Sequence, residues 1–276
     1  YAIADAETRL REDPVRILRA ARFAGRLDFE LTPELREAAA RHAGDLSKSA
    51  PPRVLEELYR LLASRGSAKA FRLLDELGAL RVLLPEITPP PDLFYTALER
   101  LDAHSEGDRS RVSHALLLGV LLSPAAWPLL QKEDEHDYEG RIGDMIRPIA
   151  LRMTLARRDS TGARQALAAQ ARLATEPRGR GSHRFVRREF FRDALLLRRF
   201  LGPLGPEEGD PLPHWEQIAH EAPPPDGEAP PGRRRRRRRL APHLPRGLAH
   251  CVELPPLGIF AQHVAGDARG EAALRR

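Results

Sequence analysis

Cysteine, methionine, lysine and aromatic residues are all scarce in this 276-residue chain, and each scarcity removes a class of explanation. The one cysteine, Cys251, excludes a disulfide framework, a disulfide-linked partner and any metal site built from several thiolates. Aromatic residues are 5% of the chain, and no stretch alternates apolar with polar for long, so there is little from which to build strands. No apolar run approaches the roughly 18–20 residues that a membrane-crossing helix needs. No membrane association is expected, and the cytoplasm is the expected compartment. Lysine supplies only 3 of the 45 basic residues. Genome base composition produces such a bias as readily as selection for forked phosphate contacts, and it carries little functional weight. The chain opens on Tyr1 and not on methionine, which raises the expectation of a fragment.

What is present is a core and an uneven charge. Hydrophobic residues are 42% of the chain, enough for one large domain or two small ones with tails. The formal charge of +6 is a C-terminal property: residues 178–276 carry 19 arginines against 12 acids, and the rest is close to neutral. Such asymmetry points to a polyanion, nucleic acid first and membrane surface second.

Helical periodicity recurs along the chain. Asp13-Pro14 is expected to open the first helix, with Asp13 as cap and Pro14 at the first helical position, running to about Leu27. Thr32-Pro33 repeats the signal for a helix to about His42. Pro51-Pro52 opens a third, with Val54, Leu55, Leu58, Leu61 and Leu62 as its apolar stripe. Ser67 begins a fourth, closed by Gly78, and further helices are expected near 92–103, 111–122, 139–157, 160–174 and 183–201. The segment Ala115 to Leu122 is apolar on nearly every face and should be the most buried. Between Glu221 and Pro245 the composition turns to proline, glycine and seven arginines, which cannot bury enough apolar surface to offset ordering entropy. The expected architecture is all-α: a neck over 1–48, a helical body over 49–221 and a disordered Pro/Arg-rich tail over 222–276.

The densest chemistry lies between Arg11 and Phe23. On a helix Arg16, Arg19, Arg22 and Arg26 fall within an arc of about 120°, a basic ridge. Asp13 and Arg16 are three apart, a carboxylate acceptor beside a guanidinium donor. Such a pair can read a nucleobase edge, accepting from an exocyclic amine and donating to a ring nitrogen or carbonyl. The same spacing also fits a capping aspartate, a surface ion pair and a solvated arginine face, which is the commoner arrangement.

The residues themselves go further. Glu12, Asp13 and Arg16, followed by Arg19, Arg22 and Phe23, match the pattern Glu-Asp-x-x-Arg then Arg-x-x-Arg-Phe. This stretch resembles the neck of the class II nucleotidyltransferases, the family of CCA-adding enzymes and bacterial poly(A) polymerases. The resemblance continues through Ala50 to Leu58 and through Leu77-Gly78-Ala79-Leu80 to Leu84-Pro85-Glu86, covering about residues 1–90. It implies template-independent nucleotide addition to RNA, with Glu12, Asp13, Arg16 and Arg19 meeting the nucleoside triphosphate and Asp13 and Arg16 pairing with its base. Arg22 and Arg26 would then meet RNA, together with Arg233, Arg234, Arg235, Arg236, Arg237, Arg238 and Arg239 of the tail. The tail and the segment Phe185 to Leu195 look more like poly(A) polymerases, with CCA addition to tRNA, or a non-catalytic RNA-binding adaptor, as alternatives. The family's catalytic head carries a Gly-Gly turn and two metal-binding aspartates one residue apart, and neither occurs here. ATP and Mg2+ are therefore expected with that head, and this chain is not expected to polymerise alone.

Three smaller candidates are weaker. His114, His136 and Asp137 lack the partners of a metal phosphohydrolase centre, and Lys132 to Glu139 reads as solvated loop. Phe185, Phe190 and Phe191 could stack bases but lie beside Leu195 to Leu197 and fit a core better. Ser160, Ser182 and Cys251 have no base at a useful spacing.

Overall fold

A computed structural model describes residues 5–104, 112–131, 137–202 and 209–221. Among these residues every regular element is helical, as the composition requires, and none is a strand. The order is α1 (Ala6–Glu12), α2 (Arg16–Leu27), α3 (Pro33–His42), α4 (Pro51–Leu62), α5 (Ser67–Glu76), α6 (Ala79–Leu83), α7 (Asp92–His104), α8 (His114–Leu130), α9 (Tyr138–Met153), α10 (Arg157–Leu173), α11 (Gly179–Phe185), α12 (Phe191–Leu201) and α13 (Leu212–Glu221). Two 3₁₀ turns, Ala43–Lys48 and Pro85–Ile87, complete the path. No described helix is long and apolar enough to cross a membrane. The tail at 222–276, with Arg233 to Arg239, lies outside the described residues.

One continuous apolar core runs from Leu10 to Trp215. Helix α8 is its axis: every residue from Leu116 to Ser123 is buried, and the helix packs on α4, α7, α9, α10 and α12. It also runs eight residues past Leu122, through Pro124 and Pro128. Burial on all sides outweighs the backbone hydrogen bonds that proline removes. Gln170 of α10, fully buried, donates to the carbonyls of Ala166 (2.8 Å) and Ala194 (3.0 Å) and so ties α10 to α12.

The helix expected over 183–201 is instead two helices with turns at 186–190. The aromatic residues explain the break. On one helix Phe190 and Phe191 would sit about 140° and 240° around from Phe185. The turns bring both rings to Phe185, at 5.9 and 5.4 Å between centroids, and Trp215 of α13 packs edge-on to it at 5.4 Å. The Trp215 indole donates to the carbonyl of Thr175 (2.9 Å). These phenylalanines are core, as their apolar neighbours implied.

The first helices are held on the body by close backbone approach and by borrowed caps. Helix α2 packs on α4 and α5, and it crosses α5 where Gly25 meets Gly66. A Cβ on Gly25 would lie about 2.2 Å from the Gly66 carbonyl oxygen, so no side chain fits there. Gly66 itself has φ of 80° and offers α5 no side-chain cap. Asp102 of α7 supplies one, accepting from the amides of Ser67 (3.0 Å) and Ala68 (3.2 Å).

Helix α1 was not expected from the sequence. Asp5 caps it, accepting from the Thr8 amide at 3.1 Å, and it buries only Leu10. Its attachment to α3 is polar. Glu7 accepts from Arg41 (2.6 Å) and from His42 Nε2 (2.7 Å), and His42 Nδ1 lies 2.8 Å from Asp45 Oδ2. With a carboxylate at each ring nitrogen, the doubly protonated imidazolium is the favoured form. The hydrogen bonds to Asp45 and then Glu7 accordingly raise the His42 pKa above its ordinary 6.5, and those from Arg41 and then His42 lower that of Glu7. The contribution of this clamp to stability is complete below the ordinary histidine value and is lost as pH rises through the raised one; on the acid side it lasts until the Glu7 and Asp45 carboxylates are protonated. The melting temperature of the unaltered chain should therefore exceed that of His42→Gln at about pH 6 by more than at about pH 9. An equal difference at both would remove His42 from the account.

Candidate nucleotide and RNA interface

The corner between α1 and α2 places the arginine-rich motif. Asp13 is not the cap of α2, contrary to the pattern of its sequence. It takes the C-terminal cap position of α1, the next helix begins at Arg16, and α2 has no side-chain cap at all. The turn is closed by backbone instead: the Arg16 amide donates to the Asp13 carbonyl (3.1 Å) and the Ile17 amide to that of Pro14 (2.9 Å). The Asp13 carboxylate is drawn elsewhere, because its Oδ2 accepts from Arg53 Nη2 of α4 at 2.9 Å. Arg16 Nε is 3.9 Å from the same oxygen, an ion pair too long for a hydrogen bond. Asp13 Oδ1 is buried and has no hydrogen-bond partner among the described residues. Glu12 is exposed and faces Arg9 at 3.5 Å.

The arginine ridge is also not a uniform solvated face. Arg16 and Arg26 are exposed, but Arg19 and Arg22 lean onto Glu57 of α4. Glu57 Oε1 accepts from Arg19 Nε (3.1 Å) and from Arg60 Nη1 (3.0 Å), and Oε2 faces Arg22 Nε at 3.5 Å. The Glu57 side chain is 3% exposed, and a carboxylate so far from water is costly to bury without such paired cations. Arg22 is itself largely covered, its guanidinium 4.6 Å from the centre of the Phe23 ring. Chemically, the corner sets the partly exposed Asp13 carboxylate beside the half-exposed guanidinium of Arg16. That is one acceptor and one forked donor, the complement of a base edge carrying an exocyclic amine.

Arg53 and Glu57 escaped the sequence reading of the site because their partners on the other helices lie about forty residues away, and Arg60 because it joins them only through Glu57 on its own helix. The signal was nevertheless present: they are spaced i, i+4, i+7 along α4, and Glu57 falls inside the apolar stripe, beside the buried Val54, Leu58 and Leu61.

The other candidates resolve as structure. His114 stacks on Tyr59 with ring centroids 4.0 Å apart, and its Nδ1 is 3.4 Å from Asp159. Burial, and then the Asp159 carboxylate, push the Tyr59 hydroxyl far above its ordinary value. Asp137 caps α9 through the Gly140 amide (2.9 Å), so Tyr138 and Glu139 are helix rather than loop, while His136 lies outside the described residues. Among the described residues no three His, Cys, Asp or Glu side chains are arranged to hold a metal. Ser160 and Ser182 donate to backbone carbonyls of their own helical turns. A cleft of about 720 Å³ opens at the starts of α8, α10 and α12, but His114, Arg157 and Arg158 there face Asp159, Glu189 and Asp193, and the mixture selects neither sign of ligand.

Residues 28–89 match the family described as "Probable RNA and SrmB- binding site of polymerase A". Among curated proteins, a multifunctional CCA protein of Xanthomonas campestris pv. campestris (strain B100) is 42% identical over 104 residues, which are 35% of this chain and 24% of the relative. That of Paraburkholderia phytofirmans is 34% identical over 163 residues, 51% of this chain and 38% of the relative. Poly(A) polymerase I of Escherichia coli O157:H7 is 34% identical over 138 residues, 47% of this chain and 29% of the relative. The chain thus spans between 24% and 38% of the length of these relatives.

If Glu57 holds the ridge together, Glu57→Ala should lower stability by about 1–3 kcal/mol, since three arginines lose a charged acceptor but two of them can regain water. Glu57→Gln keeps one acceptor and should cost less. Urea unfolding of the three proteins reads this directly, and an unchanged midpoint for Glu57→Ala would show that the arginines are held by something else.

Proposed function

We propose that this chain, a relative of the class II nucleotidyltransferases whose residues 28–89 match an RNA-binding family, forms the nucleotide-selecting and RNA-holding part of a template-independent RNA nucleotidyltransferase. The reaction served is attack of an RNA 3′ hydroxyl on the α-phosphate of a nucleoside triphosphate, with pyrophosphate leaving. The observation that carries the reading is the α1–α2 corner, where the partly exposed Asp13 carboxylate and the half-exposed Arg16 guanidinium lie side by side, 3.9 Å apart. Asp13 accepts from the exocyclic amine of the incoming base while Arg16 donates to a ring nitrogen. Arg19 orders the pocket from its seat on Glu57 or meets phosphate, and exposed Glu12 lies at the rim. Exposed Arg26 meets RNA farther along α2, Arg22 backs it from its place on Glu57, and Arg233 to Arg239 attract the RNA phosphates without reading bases. Mg2+ would neutralise charge on the triphosphate. No described group of carboxylates fits it, so no metal-dependent step is assigned to this chain.

Adenylate addition is the favoured outcome, on the arginine-rich tail and the segment Phe185 to Leu195. The 42% identity to a multifunctional CCA protein favours the second reading, CCA addition. Incubating the gene product that carries both this chain and the family's catalytic head with RNA and each nucleotide separates them. Adenylate tails from ATP alone mark the first, and dependence on CTP before ATP marks the second. In either case Arg16→Ala and Asp13→Asn should each weaken discrimination among nucleotides by about 1–3 kcal/mol. Unaltered selectivity in both variants overturns the base-reading role and leaves a helix corner with a surface ion pair.

The tail makes a separate prediction. Each phosphate neutralised on a single strand contributes about 0.7 to the slope of log affinity against log salt, so deleting Arg233 to Arg239 should reduce the slope's magnitude by up to roughly 5. An unchanged slope would exclude the tail from RNA binding.

A further inference from the structure

We infer that the cleft where α8, α10 and α12 begin is a nucleotide-binding site, with a base stacked on His114 and a phosphate held by Arg157 and Arg158. The site is separate from the α1–α2 corner and needs no base reading there; only an RNA source for its nucleotide rests on the RNA-holding role proposed above. The cleft encloses about 720 Å³, within the roughly 300–1,000 Å³ of clefts that take small ligands. Ala115 of α8 and Gly162 of α10 line it, and they approach so closely that a Cβ on Gly162 would lie 2.7 Å from that of Ala115. Neither has a side chain long enough to fill the space.

An aromatic platform is already assembled. His114 lies on the buried Tyr59 of α4 with ring planes 8° from parallel, and Asp159 faces its Nδ1 at 3.4 Å. One face of the imidazole is thus covered, yet the side chain is 57% exposed and lines the cleft, which leaves the other face for a planar ring. The charges around it are not equally free. Asp193 accepts from the Ser113 hydroxyl and Asp159 is engaged with His114, so Glu189 is the one lining carboxylate without a partner among the described residues. Arg157 and Arg158 are exposed, and neither has an ion pair among the described residues. Two free cations against one free anion suit a phosphate. Thr161 and Gln165 add a hydroxyl and an amide, which donate to and accept from a base edge. A lining that favours neither a plain anion nor a plain cation thus matches a ligand with both an anionic and a neutral polar end.

The test titrates the 276-residue chain with AMP, ribose 5-phosphate and a short single-stranded oligoadenylate, followed through the backbone amide shifts of Thr161, Gly162 and Gln165, beside thermal melts. AMP should move these amides and bind about fivefold or more tightly than ribose 5-phosphate, which lacks the base. His114→Ala should abolish that advantage, and His114→Phe, which keeps a flat ring on Tyr59, should retain it. Arg157→Gln combined with Arg158→Gln should weaken AMP and ribose 5-phosphate alike, and Glu189→Gln should strengthen both. Tighter binding of the oligoadenylate than of AMP supports the site with RNA as its source, and equal binding supports it with a free nucleotide. Equal affinity for AMP and ribose 5-phosphate, or an AMP advantage that survives His114→Ala, overturns the proposal and leaves at most a phosphate contact. Shifts at Arg16 and Arg19 with none at Thr161, Gly162 and Gln165 also overturn it, and they leave the reading of the α1–α2 corner standing.

Discussion

A carboxylate withdrawn from water and surrounded by arginines organises the N-terminal third of this protein. Glu57 lies on the buried side of α4, where an unpaired charge would be prohibitively costly. Its neutralisation draws Arg19 and Arg22 from α2 and Arg60 from its own helix. The requirement runs in both directions. Three guanidiniums gathered on one patch would repel one another without a shared counter-ion, and a carboxylate so far from water would be costly to bury without them. This reciprocity demands that α2 lie close to α4 and α5, and the side-chain-free crossing of Gly25 and Gly66 permits that approach.

The body then matters for what it holds still. Helix α4 is fixed by its apolar stripe against α2, α8 and α9, so Arg53 and Glu57 project from a rigid support. Helix α5 depends in turn on α7, whose Asp102 supplies the cap that Gly66 cannot. Each polar contact at the corner is thus backed by packed helices rather than by loops, which keeps the reach between an acceptor and a donor constant. The connection between α1 and α3 is different in kind. It relies on Glu7, Arg41 and His42, all near solvent, so this edge of the corner responds to pH where the core does not.

Much of the fold was legible in the chain. Thr32-Pro33, Pro51-Pro52 and Ser67 do begin helices, and the apolar segment from Ala115 to Leu122 is buried at Leu116 to Leu122. Local patterns sufficed there because helix starts and buried faces are set within a few turns. The failures share a different cause. Helix α1 buries one residue and so has no periodic signal, α8 continues past prolines because neighbours surround it, and the aromatic cluster around Phe185 and Trp215 breaks a pattern that reads as one helix. In each case contacts distant in sequence decided the outcome. The arginine motif was visible as a motif, but its division into Arg19 and Arg22, which lean onto Glu57, and Arg16 and Arg26, which do not, depends on a contact distant in sequence.

Asp13 shows how a tertiary contact changes the meaning of a sequence signal. Aspartate followed by proline is a strong statement that a helix begins, and for an isolated peptide the side chain would serve the first turn. Here its carboxylate pairs with Arg53, Val15 takes the cap position, and α2 begins without a side-chain cap. A local rule broken where no packing requirement demands it marks a place under a different constraint. Seven contiguous arginines, by contrast, attract any phosphate chain to the same extent. A contiguous basic run has no means of telling one base from another, whereas a carboxylate set beside a guanidinium has the donor and acceptor that such a distinction requires.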